Sequence, residues 1–261
     1  MLTFKHAGLA VVAALPLLGA DLAPTGTLRA TFLATNPVQG RVDPQTRVVT
    51  GPVADLVREL ARRRAVPFTL IPAPDAGAVI ELVKTGQADI GFLAYEAARA
   101  AQVDFSEPYA LMANAYLVRA DSSLRRSPDV DRPGVTIGAV KGQSQEIYVS
   151  ANVKNGRVQV LPLMPADDAL AKMLAAGQLD AFAANRDRME QVARAFPTVR
   201  VLPDNFLVAG QAIVVAKGES ARIAELNRFL DDVRASGFVK SALERAKIAG
   251  VEVAPVGGAR H

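Results

Sequence analysis

The chain has no cysteine and no tryptophan, and its two histidines, His6 and His261, stand near its two ends. Without thiols there is no disulfide, no thiolate nucleophile, no iron–sulfur cluster and no cysteine-based zinc site. Without an internal histidine, the Ser-His and Cys-His pairs behind most hydrolase mechanisms are ruled out. No metal and no cofactor is expected on these grounds. Aromatic residues make up only 5% of the chain, which argues against a base-stacking or cation–π site. Charge of one sign is scarce too: 30 Lys and Arg face 26 Asp and Glu, a formal net charge of +4. The densest basic run, Arg62-Arg63-Arg64, falls at the end of an apolar-periodic segment and reads as a solvated helix end. Arg125 and Arg126 lie in a polar linker and read the same way. With no helix-turn-helix and no aromatic–basic interleaving, no nucleic-acid partner is expected.

Half of the 261 residues are hydrophobic, enough to fill two compact lobes. At the N-terminus Lys5 precedes an apolar run, Ala7 to Leu18, too short to span a bilayer and followed by small residues. This reads as a secretory signal peptide over residues 1–23, the alternative being a buried N-terminal helix. No cysteine follows the run, so a lipoprotein anchor is excluded. No later apolar run approaches membrane-spanning length, and a soluble, exported protein is expected.

Strand and helix signals alternate along the rest. "TLRATFLA", "PFTLIPA" and "ADIGFLA" read as strands, and "PVADLVRELARRR" and "AGAVIELVKTG" as helices, with Pro52 in a first turn and Gly86 at a stop. The segment "NPVQGRVDPQTRVVTG" reads as a turn-rich loop. The unit recurs: "ELVKTGQADIGFLA" (81–94) and "KMLAAGQLDAFAAN" (172–185) align without a gap, pairing Gly86 with Gly177 and Asp89 with Asp180. Both aspartates are expected to bond their own turns. Strand–helix alternation means a largely parallel α/β sheet. The expected fold is α/β and two-lobed, each lobe a sheet flanked by helices, with two crossings between them. The first lobe is discontinuous (25–110 and 210–261) and the second continuous (111–209). A ligand belongs in the cleft between them.

Within "AYEAARAAQVDFSEPY" an always-charged guanidinium, Arg99, stands among alanines, six residues before Phe105. It is either half of an exposed pair with Glu96 or a planar fork set to take a carboxylate. In the second lobe "KGQSQE" turns at Gly142 into a helix whose first N–H groups favour an anion, although Ser144 could equally be an ordinary cap.

These blocks, with "LAAGQLDAFAAN" and "FLDDVRASGFVKSALERAKI", resemble the family-3 extracellular solute-binding proteins of ABC importers, the polar amino-acid binders. The resemblance runs over nearly all of the chain beyond the leader. It implies the type II periplasmic-binding-protein fold, a periplasmic location, a monomer, a small anionic solute as ligand and an ABC permease in the inner membrane as partner. It also implies a binding set: Arg99 on the ligand's α-carboxylate, with Phe92, Ala94 and Asn36 from the first lobe and Gln143, Ser144, Gln145 and Asn185 from the second.

Three departures bear on the ligand. Asn185 stands where many members have an aspartate for an α-ammonium, and Ala94 where a small hydroxyl residue is usual. The aromatic usual in the first-lobe loop is replaced by Asn36-Pro37-Val38. A cationic amine would lose its counter-charge there, unless Asp187, two residues on along an extended strand, faces the same way. The expected role is binding without chemistry, on a small carboxylate-bearing solute: an amino acid, a derivative or an organic acid. Two alternatives stay open. One is a periplasmic dehydratase of prephenate-like acids with Glu96 as acid or base, and the other a ligand-sensing module for a membrane partner.

Overall fold

The computed structural model describes residues 21–34, 36 and 39–256. Both histidines, Pro37, Val38 and nearly all of the expected leader lie outside the described residues. Leu22 does not: it is 2% exposed and packs into the first core.

The elements in chain order are β1 (Leu28–Leu33), β2 (Arg41–Val42), β3 (Val49–Thr50), α1 (Pro52–Arg64), β4 (Phe68–Ala73), α2 (Ala76–Lys84), β5 (Ile90–Ala94), α3 (Ala97–Ala100) and β6 (Val103–Arg119). After a 3-10 turn (Ser127–Val130) come β7 (Thr136–Val140), α4 (Ser144–Asn152), β8 (Arg157–Leu161), α5 (Asp167–Ala175), β9 (Ala181–Asn185) and α6 (Arg186–Ala195). The chain ends with β10 (Val199–Val201), β11 (Leu207–Ala216), α7 (Ser220–Ala235), α8 (Phe238–Ala246) and β12 (Val251–Val253). The expected loop after β1 contains the β2–β3 hairpin. The Asp43 carboxylate closes its turn by accepting from the Gln45 and Thr46 N–H groups. No helix among the described residues is long and apolar enough to cross a membrane.

The main sheet runs β4-β1-β5-β11-β6-β9-β7-β8, with β10 and β12 added on β6. Two parallel trios, β4-β1-β5 and β8-β7-β9, stand at its two sides. Their symmetry is the internal repeat in three dimensions. Gly86 and Gly177, at φ 69 and 68, stop α2 and α5 in the left-handed region that glycine enters freely. The aspartate three residues on then turns to the neighbouring strand. Asp89 accepts from the Arg29 N–H at 2.8 Å, and Asp180 from the Thr136 N–H at 2.8 Å. In return the Asp89 and Asp180 N–H groups bond the Arg29 and Thr136 carbonyls. These aspartates therefore lock strand pairs rather than their own turns. Asp89, almost fully buried, also pairs with the Arg29 guanidinium at 2.6 Å.

β6 is 17 residues long and takes in the "FSEPY" segment. There the ladder with β11 slips: Ala212 faces Pro108 and Val214 faces Phe105. Proline has no N–H to give a ladder, so it sits at the irregularity. The Ser106 hydroxyl accepts the Ile213 N–H at 2.9 Å, and Asn227 accepts that of Glu107 at 2.8 Å. The buried Arg234 of α7 donates to the Pro108 and Pro255 carbonyls and pairs with Glu107.

Apolar clusters fill both sides of the sheet. Two draw on residues 22–110 and 212–243, and two on residues 116–202. α1 shows why: Val53, Leu56, Val57 and Leu60 recur at helical spacing and all are buried. Full burial of each such side chain stabilises by about 1.5–3 kcal/mol. The arginine run at its end is anchored: Arg62 and Arg63 pair with Glu59, and Arg63 lies 5.3 Å from the Phe229 ring centroid.

Candidate functional site

Arg99 sits on α3, a single turn directly after β5. That turn places the side chain at the carboxyl ends of the parallel strands, where open α/β sheets take ligands. It is 6% exposed, so the solvated-pair reading does not hold. Its Nη1 donates to the Ala94 carbonyl at 2.9 Å and its Nη2 to the Gly142 carbonyl at 2.9 Å. One guanidinium thus joins the end of β5 to the turn before α4. Both acceptors are neutral, and no described carboxylate stands within ion-pairing distance. Burial pulls its pKa below the ordinary arginine value, opposed by the charge of Glu96.

Glu96 is half-buried, and burial lifts its carboxyl above the ordinary glutamate value, opposed by the nearby Ser144 hydroxyl and the charge of Arg99. Gly142, at φ 73, makes the turn, and its N–H bonds Glu146 at 3.1 Å. Gln143 is the N-cap, with no side-chain capping bond, and Ser144 is the first helical residue. The ordinary-cap reading of Ser144 therefore does not hold: the cap position belongs to Gln143. The Gln143 side chain is partly exposed and the N–H groups at the start of α4 face no capping side chain.

The remaining polar groups are amides in a chain. Gln145 Nε2 donates to Asn114 Oδ1 and Asn185 Oδ1, each at 2.6 Å. Asn185 Nδ2 donates to Asn36 Oδ1 at 3.3 Å. The chain runs from α4 and β9 across to the loop after β1. Asn114, fully buried on β6, was not anticipated. Gln39 and Gln211 were also missed. Gln39 Oε1 accepts the Leu33 N–H at 2.9 Å, while among the described residues its Nε2 has no partner and neither amide atom of Gln211 has one. A polar residue inside an apolar run, as in "ALMANAYLV" and "VAGQAIVVA", was the available signal.

Two expectations are corrected. Phe92 is fully buried in the first core, edge-on to Tyr109 with ring centroids 5.9 Å apart, and does not join the group around Arg99. Asp187 lies in the first turn of α6, not on an extended strand. Its carboxylate accepts the Ala249 N–H at 2.9 Å and bonds Gln191, so it supplies no charge beside Asn185. Ala94 borders the site through its carbonyl and methyl.

The sequence profile of the bacterial extracellular solute-binding proteins, family 3, matches residues 30–246. An L-arginine-binding protein of Pseudomonas aeruginosa is 26% identical over 155 residues, which is 56% of this chain and 59% of that protein. The aligned region thus spans less than two thirds of that relative. Among solved structures, the amino acid ABC transporter substrate-binding protein AbpA of Streptococcus pneumoniae, bound to L-arginine, superposes with a TM-score of 0.70 at 20% identity, over 86% of this chain and 96% of that one. The ancestral amino acid-binding protein AncCDT-1, a precursor of cyclohexadienyl dehydratase, does so with a TM-score of 0.71 at 21% identity, over 86% and 96%. At these identities the structures establish the fold, and the profile match over most of the chain establishes the rest: this protein belongs to the bacterial extracellular solute-binding proteins, family 3.

Proposed function

We propose that the protein is the periplasmic substrate-binding component of an ABC importer, and that it closes on a small carboxylate-bearing solute. The observation that carries this reading is Arg99: a buried cation held by neutral carbonyls from both sides of the cleft. Two of its five N–H donors are used in those bonds, and its charge calls for an anion. A ligand carboxylate that meets Arg99 and the start of α4 together binds the closed form better than the open one, and that difference drives closure. The lobes of this reading are residues 25–110 with 210–261, and 111–209. Leu22 packs into the first core, which supports a leader that ends before it. Delivery to a permease as a monomer completes the reading.

The ammonium end is altered. Asn185 carries no charge, Ala94 no hydroxyl, and Asp187 is engaged elsewhere. The arginine named as ligand of two relatives has an α-carboxylate as well as cationic groups, so the likeness supports the carboxylate and leaves the amine to be read from these residues.

A second reading, dehydration of a prephenate-like acid, draws on Glu96, whose raised carboxyl stands beside Arg99, and on the likeness to AncCDT-1. Incubation with prephenate and detection of an aromatic product would decide for the second reading.

The test is a thermal-shift screen of amino acids, organic acids and dicarboxylates on the protein from residue 21 onward. A ligand at a hundredfold its dissociation constant adds about 2.7 kcal/mol of stability. The reading predicts a shift with a carboxylate that Arg99→Ala abolishes. An equal shift in the variant contradicts it.

A further inference from the structure

Gln211 is 1% exposed, and neither its Nε2 nor its Oε1 has a hydrogen-bond partner. Among the described residues it is the side chain with two such atoms. A buried amide left unbonded is costly, and an apolar side chain of the same shape would serve the fold better. The fold therefore gives no reason for a glutamine here, and its place points to a ligand instead. In the register of the sheet its Cα stands opposite Ala94 on β5 and Ala110 on β6. Directly opposed residues project to the same face. The carboxamide thus rises beside the methyl group of Ala94, the residue whose carbonyl Arg99 holds.

A second unsatisfied amide shares this end of the sheet. β1 lies next to β5 in parallel, and the Gln39 carboxamide, itself buried, is bonded to the N–H of Leu33 at the end of β1. Its Nε2 has no partner. Two carboxamides with unbonded atoms thus stand at the carboxyl end of the parallel trio that carries Arg99. The amides Asn36, Asn114, Gln145 and Asn185 are already bonded to one another.

The chemistry of Gln211 selects the complement. A carboxamide presents donors and an acceptor together. A carboxylate satisfies the donors and repels the acceptor; an ammonium does the reverse. A neutral group that both gives and accepts satisfies both, and a second carboxamide does so with two parallel bonds. We propose that Gln211 is a specificity-determining residue that reads a carboxamide of the ligand, so that the solute is a short carboxylate–carboxamide rather than a cationic amino acid. This inference rests on the reading of Arg99 as the carboxylate anchor, and it names the other end of the molecule.

Four straight-chain acids that differ only in the terminal group test it by isothermal titration at neutral pH: valerate, glutaramate, δ-aminovalerate and glutarate. The wild-type protein is expected to bind glutaramate at least about tenfold more tightly than the other three. Gln211→Met, of matching length, should bring glutaramate and valerate to equal affinity while melting no lower than the parent without ligand. Gln211→Glu should turn the preference toward δ-aminovalerate. Glutarate or δ-aminovalerate bound by the wild type as tightly as glutaramate overturns the inference whatever the variants do. Binding that is lost in Arg99→Ala, with an unchanged glutaramate-to-valerate ratio in Gln211→Met, overturns this inference alone. No binding of any of the four, or binding that survives Arg99→Ala, overturns the reading of the site and this inference with it.

Discussion

Arg99 Nη2 lies 2.9 Å from the carbonyl oxygen of Gly142. The first residue follows β5 and the second precedes α4, so this bond spans the two parallel trios of the sheet. It depends on a backbone turn with φ 73, which glycine alone adopts without strain. Gly142→Ala meets no atom within 4 Å of its new Cβ, so the strain is purely conformational. The variant should lose about 1 kcal/mol of stability. It should also bind its ligand several-fold more weakly, because the carbonyl and the start of α4 shift together. Thermal melts with and without ligand check both, and unchanged binding would separate the turn from the site.

Asn185→Asp tests the altered ammonium end. The aspartate keeps the Gln145 bond, loses the donor that reaches Asn36, and adds a charge. L-arginine should bind about tenfold more tightly than to the parent. Carboxylates without an amine should bind more weakly through repulsion. Paired titrations decide it, and equal changes for both ligand classes would show that the position does not face an amine.

Glu96 gives a pH dependence with a definite sign. Burial raises its carboxyl above the ordinary value, against the nearby Ser144 hydroxyl and the charge of Arg99. The folded protein thus keeps the proton where the unfolded chain has already lost it. Stability from this group falls as pH rises from the ordinary carboxylate value through the raised one, then levels off. Glu96→Gln removes that slope, so the variant gains on the parent across this window. Urea melts at stepped pH measure the difference, and parallel curves would contradict it.

The twin strand locks differ in one respect. Asp89 holds a backbone N–H and the Arg29 guanidinium, and its side chain is 2% exposed. Asp180 holds the Thr136 N–H without a described cation. Asp89→Asn should cost about 1.5–3 kcal/mol, the range for charged hydrogen bonds, and Asp180→Asn about 1 kcal/mol. Urea unfolding ranks them, and the reverse order would show that the Arg29 pair adds nothing.

The strands and helices that carry periodic apolar residues were readable from local pattern. Gly86 and Gly177 marked where helices stop, and "ADIGFLA" marked β5. What was missed depends on contacts far apart in sequence. β12 is three residues long and exists because β6 offers it an edge through Leu111. Asp187 lay two residues past a strand end, but a helix began there and turned it toward Ala249. Phe92 and Ala94 alternate with Leu93 on one strand, and only the packing of Tyr109 shows that the phenylalanine belongs to the core. Asn114 and Gln211 sit in apolar runs, where their burial and their bonding are set by tertiary structure.

The most direct test is calorimetric titration of the best carboxylate from the thermal screen into wild type and Arg99→Ala, with circular dichroism to confirm that both are folded. Loss of a charged hydrogen-bond pair of about 1.5–3 kcal/mol or more predicts affinity at least about tenfold to a hundredfold weaker in the variant. Equal affinity in the two folded proteins would contradict the account.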